Sequence, residues 1–241
     1  MRLGCLEHDE IRAAAVLTSR YDIAVPPLRV ARPAWRPNPY DNLTNPTCTV
    51  CALAHSARAW SWKYGGTDVA VPVDAIDALY SRATGVPLAG IEASDGADPM
   101  MVVETAQADG WDIGRQVPLV PSFTRTGLKT VELAQSLVRA GVVMLAVTLD
   151  EADMAAARAR EPWALGGTRG AVVGGHMIPL AAYDGLGPPA LAWAASWGQW
   201  QGMTWEWIDA RSRLALEAAW RQLLAPGVSW ERVMAGEAWA A

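Results

Sequence analysis

Residues 39–62 read PYDNLTNPTCTVCALAHSARAWSW, and the character of the chain changes sharply at Thr47. The sequence before that point is rich in proline and asparagine, which is typical of extended, irregular structure. From Thr47 to Trp62 there is no glycine or proline, and apolar residues recur at helical spacing. We therefore expect a helix that Thr47 caps and that has Cys48 in its first turn.

A thiol in the first turn of a helix is suited to act as a nucleophile. The helix dipole and the unpaired backbone N–H groups at that end both favour the thiolate form. A buried structural cysteine fits the same segment, so residues 39–62 alone leave both interpretations of Cys48 open.

Cys51 and His55 follow Cys48 on the same face of the predicted helix, which raises two further interpretations. The two cysteines have CxxC spacing, but Thr-Val lies between them and no βαβ pattern precedes them, which disfavours a redox motif. They could instead form half of a zinc site completed by Cys5 and His8, because these residue types suit zinc. No glycine knuckle of the kind that usually surrounds zinc ligands flanks either pair, which weakens this interpretation. A zinc-stabilised module is therefore the third hypothesis for this chain.

The composition limits the classes of function. The 241 residues are 51% hydrophobic and carry a formal net charge of −5, so a sizeable core is expected and no basic field attracts nucleic acid. Three cysteines are too few for a disulfide framework. The start of the chain lacks a signal-peptide core, and the longest apolar stretch, near 142–149, is too short to span a membrane. We expect a cytoplasmic or virion-associated protein with no cofactor and no membrane or nucleic-acid partner.

The order of the predicted elements indicates an α+β protein with two lobes. Helices are expected at 8–20, at the segment that begins with Thr47, and at 73–83, 99–109, about 129–140 and 150–160. Strands are expected at 141–150, 174–185 and 190–198, followed by a further element at 203–208. The resulting division has an extension at 1–39, a helical lobe at about 40–140, a β lobe at about 141–208, a final helix at about 209–224 and a tail at 226–241. The extension is short for an inhibitory prodomain, and it could pack across the lobes or against a partner.

His176 is the candidate partner of the thiol. It lies in GGHMIPLAAYDG, residues 174–185, directly after two glycines that allow another chain segment to approach closely. A histidine at the start of an apolar strand is commonly a satisfied core residue. At a strand edge that faces a cleft, however, it can serve as the base for a cysteine that is distant in sequence.

Together these segments resemble the papain-like cysteine peptidases. The nucleophile motif of that family is Asp-Gln-Gly followed by Cys at the start of the central helix, and Asp41, Asn42 and Cys48 match it at the same spacing. The resemblance implies that Cys48 is the nucleophile and that Asn42 is the oxyanion donor. A rival register aligns Asn45 with the glutamine and Cys51 with the nucleophile, but it loses the match at Asp41.

Three more segments resemble the family in the same order along the chain: SDGADPMMVVETAQADGWDIG, GVVMLAVTLD and GGHMIPLAAYDG. The last of these implies that His176 is the general base. A fourth, AASWGQWQGMTWEWI, resembles the Asn-Ser-Trp-Gly segment of the family. The resemblance covers roughly residues 38–220 and implies a papain-like domain at 40–225, with a helical lobe whose central helix begins at Cys48 and an antiparallel β lobe.

One departure bears directly on activity. Ala195 stands where the family has the asparagine that orients the imidazole, and alanine cannot donate or accept a hydrogen bond. Ser196, water or a backbone carbonyl would have to orient His176, and Trp197 would shield the Cys–His pair from water. The resemblance thus implies a peptidase or amide hydrolase with a peptide or protein substrate. Ala195 motivates the alternative, a catalytically weakened or inactive scaffold that serves a larger assembly such as a bacteriophage particle.

Overall fold

The computed structural model describes residues 17–18 and 26–235, and it confirms the α+β class. The helices are α1 Cys48–Gly65, α2 Val73–Thr84, α3 Pro99–Asp109, α4 Thr130–Ala140, α5 Glu151–Ala159, α6 Trp205–Arg211 and α7 Trp230–Met234. The strands are β1 Leu17–Thr18, β2 Ser122–Arg125, β3 Val143–Asp150, β4 Val172–Tyr183, β5 Leu191–Ser196, β6 Gln199–Thr204 and β7 Ser212–Ala219. Short 3-10 helices lie at Leu88–Ala93 and Arg221–Leu223.

The strands form one sheet in the order β1-β2-β7-β3-β4-β5-β6. β1 is parallel to β2, and every other neighbouring pair is antiparallel. β3 is buried along its whole length between β4 and β7. β4 carries His176 and pairs with β3 in a register that sets His176 opposite Val147. The candidate base therefore lies on a strand that is fixed in place by its pairing with the buried strand β3.

Each face of the sheet has its own hydrophobic core. Because strand side chains alternate between faces, Met144 belongs to one core and Leu145 to the other. Helices α1, α2 and α3 cover the Met144 face, whereas α4, α5 and α6 contribute to the Leu145 face. α1 packs directly on β4 and β7. This packing brings the start of the central helix to the strand that carries His176.

The expected start of α1 at the Thr47–Cys48 boundary is observed, but Thr47 does not cap the helix. Its side chain accepts no hydrogen bond from the first turn, and its hydroxyl donates instead to the carboxylate of Asp41 at 2.7 Å. The helix ends at Gly65, and the capping residue Gly66 has a φ of 68°, in the left-handed region that glycine adopts without steric cost.

The final helix predicted at 209–224 is wrong. Half of that segment is β7, which lies between β2 and β3, whereas its beginning belongs to α6 and its end contains the 3-10 helix Arg221–Leu223. Ala, Leu and Glu in SRLALEAA favour a helix, but Leu214, Leu216 and Ala218 alternate with period two and face one core. Burial inside the sheet therefore overrides intrinsic propensity.

The same strand holds a buried charge pair. Glu217 of β7 forms an ion pair with Arg139 of α4, and both side chains are 4% exposed. The pair ties α4 to the sheet, a contact that the sequence did not indicate.

Three further differences concern local elements. The single element predicted at 203–208 is the end of β6 followed by α6, and β2 was not predicted. The helix predicted at 8–20 lies mostly outside the described residues, and residues 17–18 form β1 instead. Across 17–18 and 26–235, no helix combines the length and the apolar character needed to cross a membrane.

Candidate active site

A small cavity lies where the start of α1 meets β4 and the β5–β6 hairpin. Its volume is about 10 Å³, close to the space of a single water. The residues singled out from the sequence share its lining: Asn42, Cys48, His176, Ala195, Ser196 and Trp197. The fold thus brings together three chain segments that are far apart in sequence.

Cys48 is the first residue of α1, and its side chain is almost completely buried. The backbone N–H of Met177 donates to its Sγ at 3.4 Å. Met177 directly follows His176, so the sulfur lies beside the backbone of the histidine. Cys48 and Cys51 are both thiols rather than disulfide partners.

The loop before α1 is held by Asp41. Its carboxylate accepts from the Asn45 amide at 2.7 Å and from the Thr47 hydroxyl at 2.7 Å. Its backbone carbonyl accepts the N–H of Asn45 at 2.9 Å, which closes a turn. Asn42, the next residue, is buried, and its Oδ1 atom has no hydrogen-bond partner in the part of the chain that the structure describes. The loop therefore presents a buried side-chain amide to the cavity that also holds Cys48.

His176 is held in one orientation by its neighbours. Its Nε2 is 2.9 Å from the Ser196 hydroxyl, and its ring stacks on Trp197 with centroids 4.4 Å apart and planes 8° from parallel. Nδ1 is buried and finds no partner among the described residues. Burial lowers the pKa of His176 to about 3, so the ring is neutral at neutral pH.

The β5–β6 hairpin determines where Ser196 and Trp197 lie. Trp197 and Gly198 form the turn with φ of 47° and 77°, the left-handed conformation of a tight hairpin. A Cβ at Gly198 would come within 3.0 Å of Pro39, so this turn also packs closely on the chain before α1. Ala195 is buried and pairs with Trp200 across the hairpin.

Residues 26–40 form a segment that we call the strap. At one end, Val30 and Tyr183 of β4 exchange two backbone hydrogen bonds of 3.0 Å each. At the other end, the N–H of Asn38 donates to Nε2 of His55 in α1 at 3.2 Å. Asn38 and Pro39 line the cavity. The strap thus runs from β4 to α1, and only its last residues border the cavity.

His55 acts as the anchor for the strap on α1. Its Nδ1–H donates to the carbonyl of Cys51 at 2.7 Å, so Nε2 is the acceptor for Asn38 and the ring is neutral. The rings of Trp35 and Tyr40, both in the strap, pack against it with centroids 5.3 Å away. Burial lowers the pKa of His55 to about 4. The sequence placed His55 on the same helix face as Cys51, but it did not predict that Asn38 would be its hydrogen-bond partner.

Cys51 is directed away from His176 toward the loop. Its Sγ is 3.5 Å from the Thr47 hydroxyl and 3.9 Å from the Asp41 carboxylate, and burial raises its pKa well above the ordinary value. Within residues 26–235, no group of three or more His, Cys, Asp or Glu side chains is arranged to hold a metal ion. The other half of the hypothetical zinc site, Cys5 and His8, lies outside the described residues.

Comparison with known proteins rests on structure alone. No family model and no curated protein sequence matches the chain. The fold is similar to that of xylellain, a cysteine protease from Xylella fastidiosa, at 13% identity and a TM-score of 0.69, over 90% of this chain and 96% of that one. It is also similar to procathepsin B S9 from Trypanosoma congolense, at 10% identity and a TM-score of 0.54, over 90% and 86% of the two chains. The chain therefore has a papain-like cysteine peptidase fold, as its sequence resemblance predicted.

Proposed function

We propose that the protein is a thiol hydrolase that cleaves amide bonds in peptides or proteins, with Cys48 as nucleophile and His176 as base. One observation carries the proposal. The Cys48 sulfur, at the start of a buried helix, receives the N–H that directly follows His176, at 3.4 Å. The papain-like fold of the chain supports the same assignment.

The neutral state of His176 defines the direction of proton transfer. The mechanism requires the tautomer in which Nε2–H donates to Ser196 Oγ, 2.9 Å away, and Nδ1 carries the basic lone pair. Nδ1 has no other partner in the described chain, so it is available to take the proton of the Cys48 thiol. The resulting thiolate attacks the substrate carbonyl, and the imidazolium then protonates the leaving amine. In the second half of the cycle, His176 activates the water that hydrolyses the acyl-enzyme.

Oxyanion stabilisation falls to two groups. The backbone N–H groups at the start of α1 are not occupied by the Thr47 side chain, because that hydroxyl is bound to Asp41. The buried amide of Asn42 lines the same cavity and supplies a second donor when its N–H₂ group faces the developing charge. Asparagine is shorter than the glutamine it replaces, but the loop held by Asp41 brings it to the cavity.

Ser196 and Trp197 take over the role of the missing asparagine at position 195. The hydroxyl of Ser196 holds Nε2, and the stacked indole of Trp197 fixes the plane of the ring. A neutral hydroxyl orients an imidazole less strongly than an amide embedded in a larger network. We therefore expect activity to be present but lower than a complete triad would provide.

The alternative register, with Cys51 as nucleophile, has less support. The Cys51 thiol contacts Thr47 and Asp41, and its raised pKa keeps it protonated. A carboxylate beside a thiol disfavours the thiolate, whereas the start of a helix favours it. Both considerations favour Cys48.

A second candidate function is a non-catalytic scaffold that binds other subunits. Ala195 and the small cavity of about 10 Å³ favour it, because Cys48 is 1% exposed and a substrate carbonyl has little room beside its sulfur. The bacteriophage setting and the cytoplasmic or virion-associated location stay predictions from the sequence.

Chemical labelling separates the two candidates. The protein is treated with iodoacetamide and with an epoxide probe at mildly acidic pH, and the labelled cysteine is identified by peptide mass spectrometry. Hydrolase function predicts labelling of Cys48 faster than a free thiol, loss of peptide hydrolysis in Cys48→Ala, and retention of hydrolysis in the matched variant Cys51→Ser. Labelling of Cys48 no faster than that of a free thiol, with no hydrolysis of a peptide library, would instead support the scaffold.

A further inference from the structure

The helix that carries the nucleophile also carries a second thiol, which hydrolysis does not use. Cys51 lies three residues after Cys48 in α1, and both side chains line the same cavity. Helix geometry sets their Cα atoms about 5 Å apart. Disulfides join Cα atoms separated by roughly 4.4 to 6.8 Å. The Cβ atoms of such a helix pair are about 5 to 6 Å apart, whereas a disulfide needs roughly 3.5 to 4.5 Å. The bond therefore requires the first turn of α1 to open locally, and the end of a helix is where it deforms most easily.

The surroundings of Cys51 suit a thiol that must lose its proton on demand. The single proton of the Thr47 hydroxyl goes to Asp41 at 2.7 Å, so the thiol proton of Cys51 is directed to Thr47 or to Asp41. The Asp41 carboxylate lies 3.9 Å from the sulfur and can accept that proton when the sulfur forms a new bond. At rest, burial keeps Cys51 protonated, so it does not compete with Cys48 for an electrophile.

We propose that Cys51 is a resolving thiol that converts oxidised Cys48 into an intrahelical disulfide. In the first step the Cys48 thiolate attacks a hydroperoxide, which leaves as alcohol or water, and Cys48 becomes a sulfenic acid. In the second step the Cys51 sulfur attacks the Cys48 sulfur, and the S–O bond breaks. The hydroxyl leaves as water with the proton that Cys51 gives up. An external dithiol then reduces the disulfide and restores both thiols.

The size of the cavity favours this outcome over further oxidation. A sulfinic acid adds two oxygen atoms to Cys48, and a cavity of about 10 Å³ has room for about one water. A disulfide between neighbouring residues of one helix adds no atoms. Cys51 would thus protect the nucleophile from irreversible oxidation and switch hydrolysis off reversibly.

The proposal rests on the reactivity of Cys48 assumed in the proposed function, but it differs from a redox oxidoreductase. The absence of a βαβ pattern before the CxxC still argues against that class. Here the disulfide serves the nucleophile of the same chain and carries no electrons to a separate substrate.

Intact-protein mass spectrometry after treatment with hydrogen peroxide tests the proposal without any assay of hydrolysis. We expect the wild-type protein to lose the mass of two hydrogen atoms, with peptide mapping that joins Cys48 to Cys51, and dithiothreitol to restore alkylation of Cys48. Cys51→Ser keeps a hydroxyl near Asp41 but cannot form the disulfide, so Cys48 of this variant should gain one oxygen atom as a sulfenic acid. Cys5→Ser is the matched control and should behave like the wild type.

Two results would overturn the proposal. The first is a wild-type protein that gains oxygen at Cys48 as Cys51→Ser does, or that forms its disulfide through Cys5. The second is a folded protein whose Cys48 does not react with peroxide, while the urea-unfolded chain does. Failure of peptide hydrolysis with normal disulfide formation would count against the hydrolase alone.

Discussion

Acidification should destabilise the protein through His55, the anchor of the strap. In the folded state burial lowers its pKa from 6.5 to about 4. Above pH 6.5 the ring is neutral in both the folded and the unfolded chain, so the full stability is present. Between pH 6.5 and about 4 the unfolded chain binds a proton that the folded chain refuses, and stability falls as the pH falls.

The expected magnitude follows from the difference between the two pKa values. A difference of about 2.5 pH units corresponds to about 3 kcal/mol of unfolding free energy, lost at about 1.4 kcal/mol per pH unit. His176, with its pKa lowered to about 3, adds a loss of the same sign. Glu217 acts in the opposite sense, because burial raises its pKa to about 8 and its protonated form is favoured in the folded state. The change of unfolding free energy with pH is therefore the sum of several groups. A variant that lacks His55 is needed to isolate the contribution of this residue.

His55→Gln supplies that comparison, because its amide oxygen can accept the Asn38 N–H but does not titrate. Urea unfolding of both proteins, followed by tryptophan fluorescence from about pH 7.5 to about pH 4, gives the difference in unfolding free energy at each pH. The variant should be less stable than the wild type at neutral pH. The difference between their unfolding free energies should decrease by about 3 kcal/mol on acidification. A gap that stays constant within about 0.5 kcal/mol across that range would refute the buried, neutral state of His55.

Three other perturbations test separate contacts. Ser196→Ala should lower kcat for peptide hydrolysis about tenfold with little change in KM, because it removes the hydrogen bond on His176 Nε2, worth about 1 to 2 kcal/mol. Trp35→Ala, with Arg36→Ala as its exposed control, should detach the strap and raise the rate of Cys48 alkylation about tenfold, and an unchanged rate would show that the strap does not limit access. Arg139→Leu should lower the unfolding free energy, measured by chemical denaturation at neutral pH, by about 1 to 3 kcal/mol, because it leaves the buried carboxyl group of Glu217 without its Arg139 partner.

The sequence was informative where local rules determine structure. The loss of proline and asparagine at Thr47 marked the start of α1 within one residue, a signal that depends on the backbone preferences of neighbouring residues. The expectation that His176 begins a strand at a sheet edge was wrong, because β4 begins at Val172, includes both glycines and lies between β3 and β5. Ser196 was identified because it follows the position of the missing asparagine.

Contacts between distant segments could not be predicted in the same way. The strand pairing of β7 depends on β2 and β3 on either side, and its Ala, Leu and Glu residues favour a helix in isolation. The strap is held by backbone hydrogen bonds between Val30 and Tyr183 and by the hydrogen bond from Asn38 to His55. Neither pair of residues can be recognised from the sequence. The prediction that Thr47 caps α1 was wrong for a related reason, because the Thr47 hydroxyl binds the Asp41 carboxylate across the loop instead.

The uncapped start of α1 constrains how this protein can be improved or can evolve. A side-chain cap at position 47 would stabilise the helix by about 1 kcal/mol, and Thr47→Asp is the substitution that helix statistics recommend. In this chain that carboxylate would occupy the N–H donors of the first turn and bring a second negative charge beside Asp41 and the nucleophile. We expect Thr47→Asp to suppress alkylation of Cys48 and to lower the melting temperature, because the buried side chain can no longer donate to Asp41 and two carboxylates meet at that point. The contact with Asp41 thus keeps the Thr47 side chain away from the backbone donors of the first turn, and a cap cannot be introduced at this position without a loss of both stability and reactivity.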